Sequence, residues 1–152
     1  MKDSLHLLHN GAAGKKSVIR QAYQQMLGRY PKVEWRGLIC RNSARPKAIF
    51  TLWLQVQNRL LTRDRLLNWR IQVDPVCVMC HQVAEIRDHL FFDYMFASML
   101  WRRLLQWINQ PPSSTIITRH QWIILKTKER SQQAQVLKLI YTEYIYAIWK
   151  ER

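Results

Sequence analysis

Residues 77–94 read CVMCHQVAEIRDHLFFDY. Two residues separate Cys77 from Cys80, and this spacing lets one tight loop present both thiolates to a metal ion. His89 follows at a distance along the chain that suits a third ligand. A structural zinc site takes four ligands, and Tyr94 stands where the next cysteine would be expected. The segment therefore predicts a knuckle-like loop whose ligand set is one residue short.

Helical periodicity flanks this loop on both sides. Apolar spacing and capping residues predict a helix over residues 18–28, one beginning at Pro46, a short one capped by Thr62, one following Asp88 and one over residues 131–150. The segment 115–125 is ambiguous between helix and strand. We therefore expect an all-α fold, a compact bundle of about five helices with the knuckle-like Cys loop between helices.

The domain organisation is expected to be simple. Residues 1–16, with two glycines and little periodicity, predict an irregular N-terminal segment. Residues 17–152 predict a single helical domain, because no internal repeat, low-complexity segment or linker interrupts them. A chain of 152 residues is long enough for one domain with a real core.

Two helices carry most of the apolar side chains. After Asp88, one stripe is expected to face inward, formed by Phe92, Phe96, Leu100, Leu104 and Trp107, with Arg102 and Arg103 off it. In the last helix the stripe is Leu137, Ile140, Tyr141, Tyr144 and Ile148, while Tyr146 and Trp149 lie on another side. A helix so apolar around its circumference is either deeply buried or covered by another chain.

The charge of the chain restricts its partners. Lys and Arg number 24 and Asp and Glu number 10, which gives a net charge of +14. Basic residues are spread along the whole sequence, a pattern typical of a folded domain with a positive surface that suits phosphate backbones, anionic membranes or acidic proteins. No run of about 18 apolar residues predicts a transmembrane span.

Cysteine usage bears on the compartment. The three cysteines, Cys40, Cys77 and Cys80, are an odd number and follow no secretory signal peptide, which favours a reducing compartment, the nucleus or the cytoplasm. The mitochondrion is the alternative, because the first 33 residues contain a single acid, Asp3, among six basic residues.

Several phrases, read in order, resemble one family. They are AYQQMLGRYPKVEWRGLIC, RPKAIFTLWLQVQNRLLTRDRLLNWRI, CVMC, DHLFFDYMFASMLW and YAIWKER, which together cover about residues 20–152. The chain is similar to the reverse-transcriptase zinc-binding domain of plant non-LTR retrotransposon polyproteins. The order and spacing of the phrases carry the resemblance, since each phrase alone is weak.

The resemblance implies a ligand set. It carries over as Cys77, Cys80 and His89, with the family's final cysteine replaced by Tyr94. Where the family often has glycine, just after the second cysteine, this chain has His81. Cys40 takes the place of a common tryptophan and is expected to be a buried small hydrophobe.

The zinc site itself has two interpretations. Neutral tyrosine is a poor ligand, because its phenol must lose a proton with a pKa of about 10. The favoured hypothesis is a degenerate site, in which the cysteines pack as hydrophobes and His89 bonds to a backbone carbonyl. In the alternative, zinc is bound by Cys77, Cys80 and His89, with Tyr94, His81 or Asp93 as the fourth ligand.

The sequence predicts no enzyme. Acids are few and form no convergent pair, Asp64 is flanked by two arginines, and no phosphate-cradling glycine loop is present. The polymerase and endonuclease parts of the parent polyprotein have no counterpart in these residues.

Two functions remain. The favoured one is a protein-interaction module recruited from a retrotransposon, with a plant genetic-conflict (toxin-like or incompatibility) role as a hypothesis. Its unidentified partner would contact Tyr141, Tyr144, Tyr146 and Trp149. The alternative is binding of RNA or single-stranded DNA. Its phosphate contacts would be made by six arginines: Arg59, Arg63, Arg65, Arg70, Arg102 and Arg103. Trp69 and Trp107 would stack on bases if exposed, although helical spacing favours the core for both.

Overall fold

The fold is all-helical, as expected. The computed structural model describes residues 18–28, 33–111, 119–129 and 131–152, in two compact units, 1–32 and 33–152. The elements are α1 (Val18–Leu27), α2 (Arg36–Ile39), α3 (Pro46–Val56), α4 (Arg63–Asn68), a π-helical turn (His89–Asp93, hereafter the π turn), α5 (Met95–Trp107), α6 (Arg119–Lys126) and α7 (Gln132–Glu151). The described residues contain no strand, and an isolated antiparallel bridge joins Val76 to Ala84.

The first predicted helix is confirmed as α1, in the N-terminal unit. It ends at Leu27, and the next residue, Gly28, has a φ of +69°, the left-handed conformation that glycine adopts at little steric cost after a helix. The irregular segment predicted for residues 1–16 lies outside the described residues. The single domain predicted for residues 17–152 stays a prediction.

In the second unit, α7 is the central helix. Its N-cap is Ser131, whose hydroxyl accepts a hydrogen bond of 3.1 Å from the backbone N–H of Ala134. It packs against α3, α5 and the π turn. Eight of its residues are buried: Ala134, Leu137, Lys138, Tyr141, Thr142, Tyr144, Ile145 and Ile148. Of the two alternatives for this apolar helix, the structure therefore shows deep burial.

The predicted helix after Asp88 is two elements rather than one. The π turn ends at Tyr94, whose extended backbone (φ −55°, ψ 124°) separates it from α5. Because a π turn and a break shift the phase of a 3.6-residue pattern, the stripe predicted across them was wrong for two of its members. Phe96 and Trp107 are exposed, and the inward positions of α5 are Ala97, Trp101 and Leu105.

Three local predictions were also wrong. Cys40 is exposed rather than buried, because the one-turn helix α2 directs Leu38 into the core instead. Trp69, expected to face inward from α4, lies at the C-cap of that short helix and is 54% exposed. Thr62 makes no side-chain capping bond.

No helix among the described residues has the length and apolar character needed to cross a membrane.

Candidate metal centre

The loop between α4 and the π turn places both cysteines at its tip. The bridge between Val76 and Ala84 closes the loop, and the N–H of Cys77 donates to the carbonyl of Val83 at 2.7 Å. At the tip, the N–H of His81 donates to the carbonyl of Cys77 at 2.9 Å. These bonds wind the chain back on itself, so Cys77 and Cys80 face the same side. The predicted knuckle is present.

His81 occupies a strained position in this turn. Its φ is 54°, in the left-handed region where a side chain clashes with the backbone. The sequence comparison with the family expected glycine at this position, and the observed φ gives the physical reason. The turn needs a left-handed residue after the second cysteine, whatever that residue is.

Three candidate ligands converge. The ligand atoms of Cys77, Cys80 and His89 all lie within 4.8 Å of one another, and the Sγ of Cys80 is 3.2 Å from the Nε2 of His89. With zinc–sulfur distances of about 2.3 Å and zinc–nitrogen distances of about 2.0 Å, neighbouring ligands of a tetrahedral ion are about 3.5–3.8 Å apart. The donor set and its spacing therefore fit one zinc ion.

The two thiols lie in different environments. Backbone N–H groups of Gln82 and Val83 donate to Cys80 and lower the pKa of its thiol. Burial raises the pKa of the Cys77 thiol, although the N–H of Met79 donates to its sulfur at 3.4 Å. Oriented N–H groups of this kind stabilise thiolates that bind a metal. The loop therefore favours the anionic form at one of its two cysteines.

His89 is held by the core. It opens the π turn, whose next two residues, Leu90 and Phe91, are fully buried. The hydroxyl oxygen of Tyr144 on α7 lies within hydrogen-bond distance of two carbonyl oxygens that can accept its proton. These are the carbonyl of Phe91 at 2.5 Å and that of Ala97 at 3.1 Å. The predicted bond from His89 to a backbone carbonyl is not observed in the described residues, and its Nε2 contacts the Cys80 thiol instead.

The fourth position has no strong protein ligand. Within the described residues, neither His81 nor Asp93 joins the cluster of three. Tyr94 is half-buried, and its ring centre lies 6.3 Å from that of His89. A zinc ion held by the three converging residues would keep one open position.

Glu85 supports the loop from within the protein, a role that sequence reasoning missed. Its side chain is 0% exposed. The Oε1 atom accepts from the Nε and Nη2 atoms of Arg152 at 2.8 and 2.5 Å, and from the backbone N–H of Arg63 at 3.0 Å. Its carbonyl accepts from the N–H of Asp64 at 3.3 Å. Glu85 thus takes the capping role predicted for Thr62 and ties the Cys loop to α4 and α7.

The six predicted phosphate-binding arginines fall into two groups. Arg63 and Arg65 are half-buried and bond to backbone carbonyls: the first donates to the carbonyls of Asp74 and Val76, and the second to that of Asn58. Arg59, Arg70, Arg102 and Arg103 are exposed. Of these four, Arg59 lies over the ring of Trp53 at 5.9 Å, and the other three pair with no residue in the described parts of the chain.

The prediction of a docking surface on the last helix was wrong for two of its four residues. Tyr141 and Tyr144 are buried in the core, where both rings pack against Trp101, so neither is available to a partner. Tyr146 and Trp149 are half-buried. Guanidinium groups cover their rings, those of Arg45 at 4.9 Å and Arg152 at 4.6 Å respectively.

Comparison with known proteins agrees with the geometry. The family model described as zinc-binding in reverse transcriptase matches residues 18–101, more than half of the chain. This span includes both cysteines, His89 and the π turn. No curated protein and no solved structure matches the chain. The chain therefore belongs to the family of zinc-binding domains found in reverse transcriptases.

Proposed function

We propose that this chain is a non-enzymatic accessory domain that binds zinc structurally and nucleic acid through its positive surface. The observation that carries the nucleic-acid part is the set of exposed arginines without acidic partners, Arg70, Arg102 and Arg103. A net charge of +14 adds a long-range attraction for phosphates. The setting of the family beside a reverse transcriptase is consistent with this function.

The zinc part rests on the three converging ligands. Cys77, Cys80 and His89 would hold the ion, which would cross-link the Cys loop to the π turn. Three protein ligands would leave the fourth coordination position to water, and the role proposed for the ion is structural because it would join two elements of the fold. Cys77 is fully buried, so the ion would be shielded from water on that side.

Metal content of the purified protein tests the zinc part. We expect about one zinc per chain and a lower melting temperature after a chelator is added. Cys80→Ser should abolish metal binding, whereas the matched control Cys40→Ser should not, because Cys40 is exposed and outside the cluster. A chain that melts at the same temperature with and without zinc would reject it.

Fluorescence anisotropy with a labelled RNA oligonucleotide tests the nucleic-acid part. Affinity should fall steeply between about 50 and 200 mM salt. The double variant Arg102→Gln, Arg103→Gln should reduce the slope of log K against log salt by about 1.5–2. Arg45→Gln is the control, because Arg45 is already paired with Glu143. No binding at low salt would reject this part.

The burial of the last helix weakens the support for the protein-interaction function. Two of its four predicted contact residues, Tyr141 and Tyr144, are in the core. A genetic-conflict role and a location in the nucleus, cytoplasm or mitochondrion stay predictions.

A further inference from the structure

The outer face of α5 combines exposed aromatic and basic side chains. Phe96 is 50% exposed and Trp107 is 77% exposed. At 100° per residue, Phe96, Arg103 and Trp107 fall within about 40° of one another on the helix, and Met99 lies close beside them. The four residues form one line along the helix, which we call the α5 stripe.

The charge of this face suits an anionic ligand. No Asp or Glu occurs between Met95 and Trp107, while Arg102 and Arg103 are both exposed. Neither arginine pairs with a residue in the parts of the chain that the structure describes. A guanidinium in the middle of an aromatic line would be costly to bury against an apolar protein surface without a counter-charge. A nucleic-acid phosphate supplies that counter-charge, and the bases beside it can contact both aromatic rings.

Trp107 differs from the other exposed tryptophan. The guanidinium of Arg65 lies 5.1 Å from the ring centre of Trp69 and covers one of its faces. Trp107 has no ring or cation contact among the described residues. Its indole is therefore free to take a flat, aromatic ligand.

We propose that the α5 stripe binds single-stranded nucleic acid, with Phe96 and Trp107 stacking on unpaired bases and Arg103 contacting a phosphate between them. The inference rests on the proposed nucleic-acid function and names its substrate class. Bases in a duplex are stacked on one another, so their faces are closed to side chains, whereas unpaired bases stack readily on aromatic rings. Phe96 and Trp107 are eleven positions apart, a rise of about 16 Å along the helix, which is enough for about three to five nucleotides.

Separate titrations with a single strand and with a duplex test the site. The full chain and its Phe96→Leu and Trp107→Leu variants are titrated with a 12-nucleotide single strand and with a 12-base-pair duplex of the same sequence. Each variant should weaken single-strand binding by about 5–100-fold and duplex binding by less than about twofold. Trp69→Leu, the matched control, should change neither. Because Phe96 and Trp107 are exposed, unchanged melting temperatures verify that the variants fold.

The outcomes separate this inference from the broader one. If the wild-type chain binds neither ligand at low salt, both proposals fail. If it binds, but Phe96→Leu and Trp107→Leu leave single-strand affinity unchanged or weaken both ligands equally, the α5 stripe is rejected and the positive surface remains. Sedimentation that shows a dimer abolished by Trp107→Leu would also overturn the inference, because the occupant would then be a second copy of this chain.

Discussion

The contact between Glu85 and Arg152 gives the sharpest test of how this fold is held together. Glu85→Gln keeps the shape of the side chain and removes its charge. The carboxylate is fully buried and accepts three hydrogen bonds, two of them from a guanidinium. Breaking a buried ion pair by removing one partner costs about 3–5 kcal/mol, and a neutral amide that keeps part of the network should recover some of this. We expect a loss of about 2–4 kcal/mol in the free energy of unfolding.

Urea unfolding followed by circular dichroism measures this loss. With a slope of about 1.5–2 kcal/mol per M, a loss of about 3 kcal/mol lowers the midpoint by about 1.5–2 M. Arg152→Ala should be at least as damaging, because it leaves the buried carboxylate with a single backbone donor, the N–H of Arg63.

The matched control is a second Glu–Arg pair at the surface. Arg45 and Glu143 form an ion pair in which the arginine side chain is 67% exposed, so solvent screens the attraction. Glu143→Gln should leave the urea midpoint nearly unchanged. If Glu85→Gln and Glu143→Gln shift the midpoint equally, or neither shifts it, then Glu85 does not join the loop to the helices and the reasoning is refuted.

Three further predictions concern pH, strain and the positive surface. Burial raises the pKa of the Tyr141 and Tyr144 phenols above the unfolded value of about 10. The stability that these buried phenols contribute is therefore fully present below about pH 10 and is lost as the pH rises above it. A urea midpoint that stays constant up to about pH 11.5 would contradict this. His81→Gly should raise the free energy of unfolding by about 1 kcal/mol, because His81 has a φ of 54°, and should leave the zinc content per chain unchanged; loss of zinc would instead identify His81 as a ligand. Arg70→Gly should also stabilise the chain by about 1 kcal/mol, since φ is 61° there, while the salt slope of RNA binding falls by about 1; an unchanged slope would exclude Arg70 from the phosphate contacts.

Features encoded locally were predictable. The last helix follows from apolar spacing over twenty residues and from Ser131 at its start, and the loop follows from the spacing of Cys77 and Cys80. Their signals lie within a few residues of the structure they specify. The resemblance to the family also rests on short phrases of sequence, and it identified Cys77, Cys80 and His89, whose ligand atoms converge in space.

Features that depend on distant contacts were not predictable. Glu85 is 67 residues from Arg152, and no local pattern marks a carboxylate that is about to be buried. The π turn changes the helical phase between His89 and α5, so a stripe drawn through it assigned Phe96 and Trp107 to the wrong side. Burial of Tyr144 depends on the carbonyls of Phe91 in the π turn and Ala97 in α5.

The hydrogen bond of Tyr144 joins α7 to a turn that lies inside the family match. The family match ends at residue 101, yet the turn that carries His89 is fastened by a residue on α7, well beyond that limit. The contacts that hold the π turn therefore extend beyond the family match in this chain. Occupancy of the ligands by zinc and docking of the last helix should be thermodynamically linked, so loosening either one should weaken the other by the same free energy.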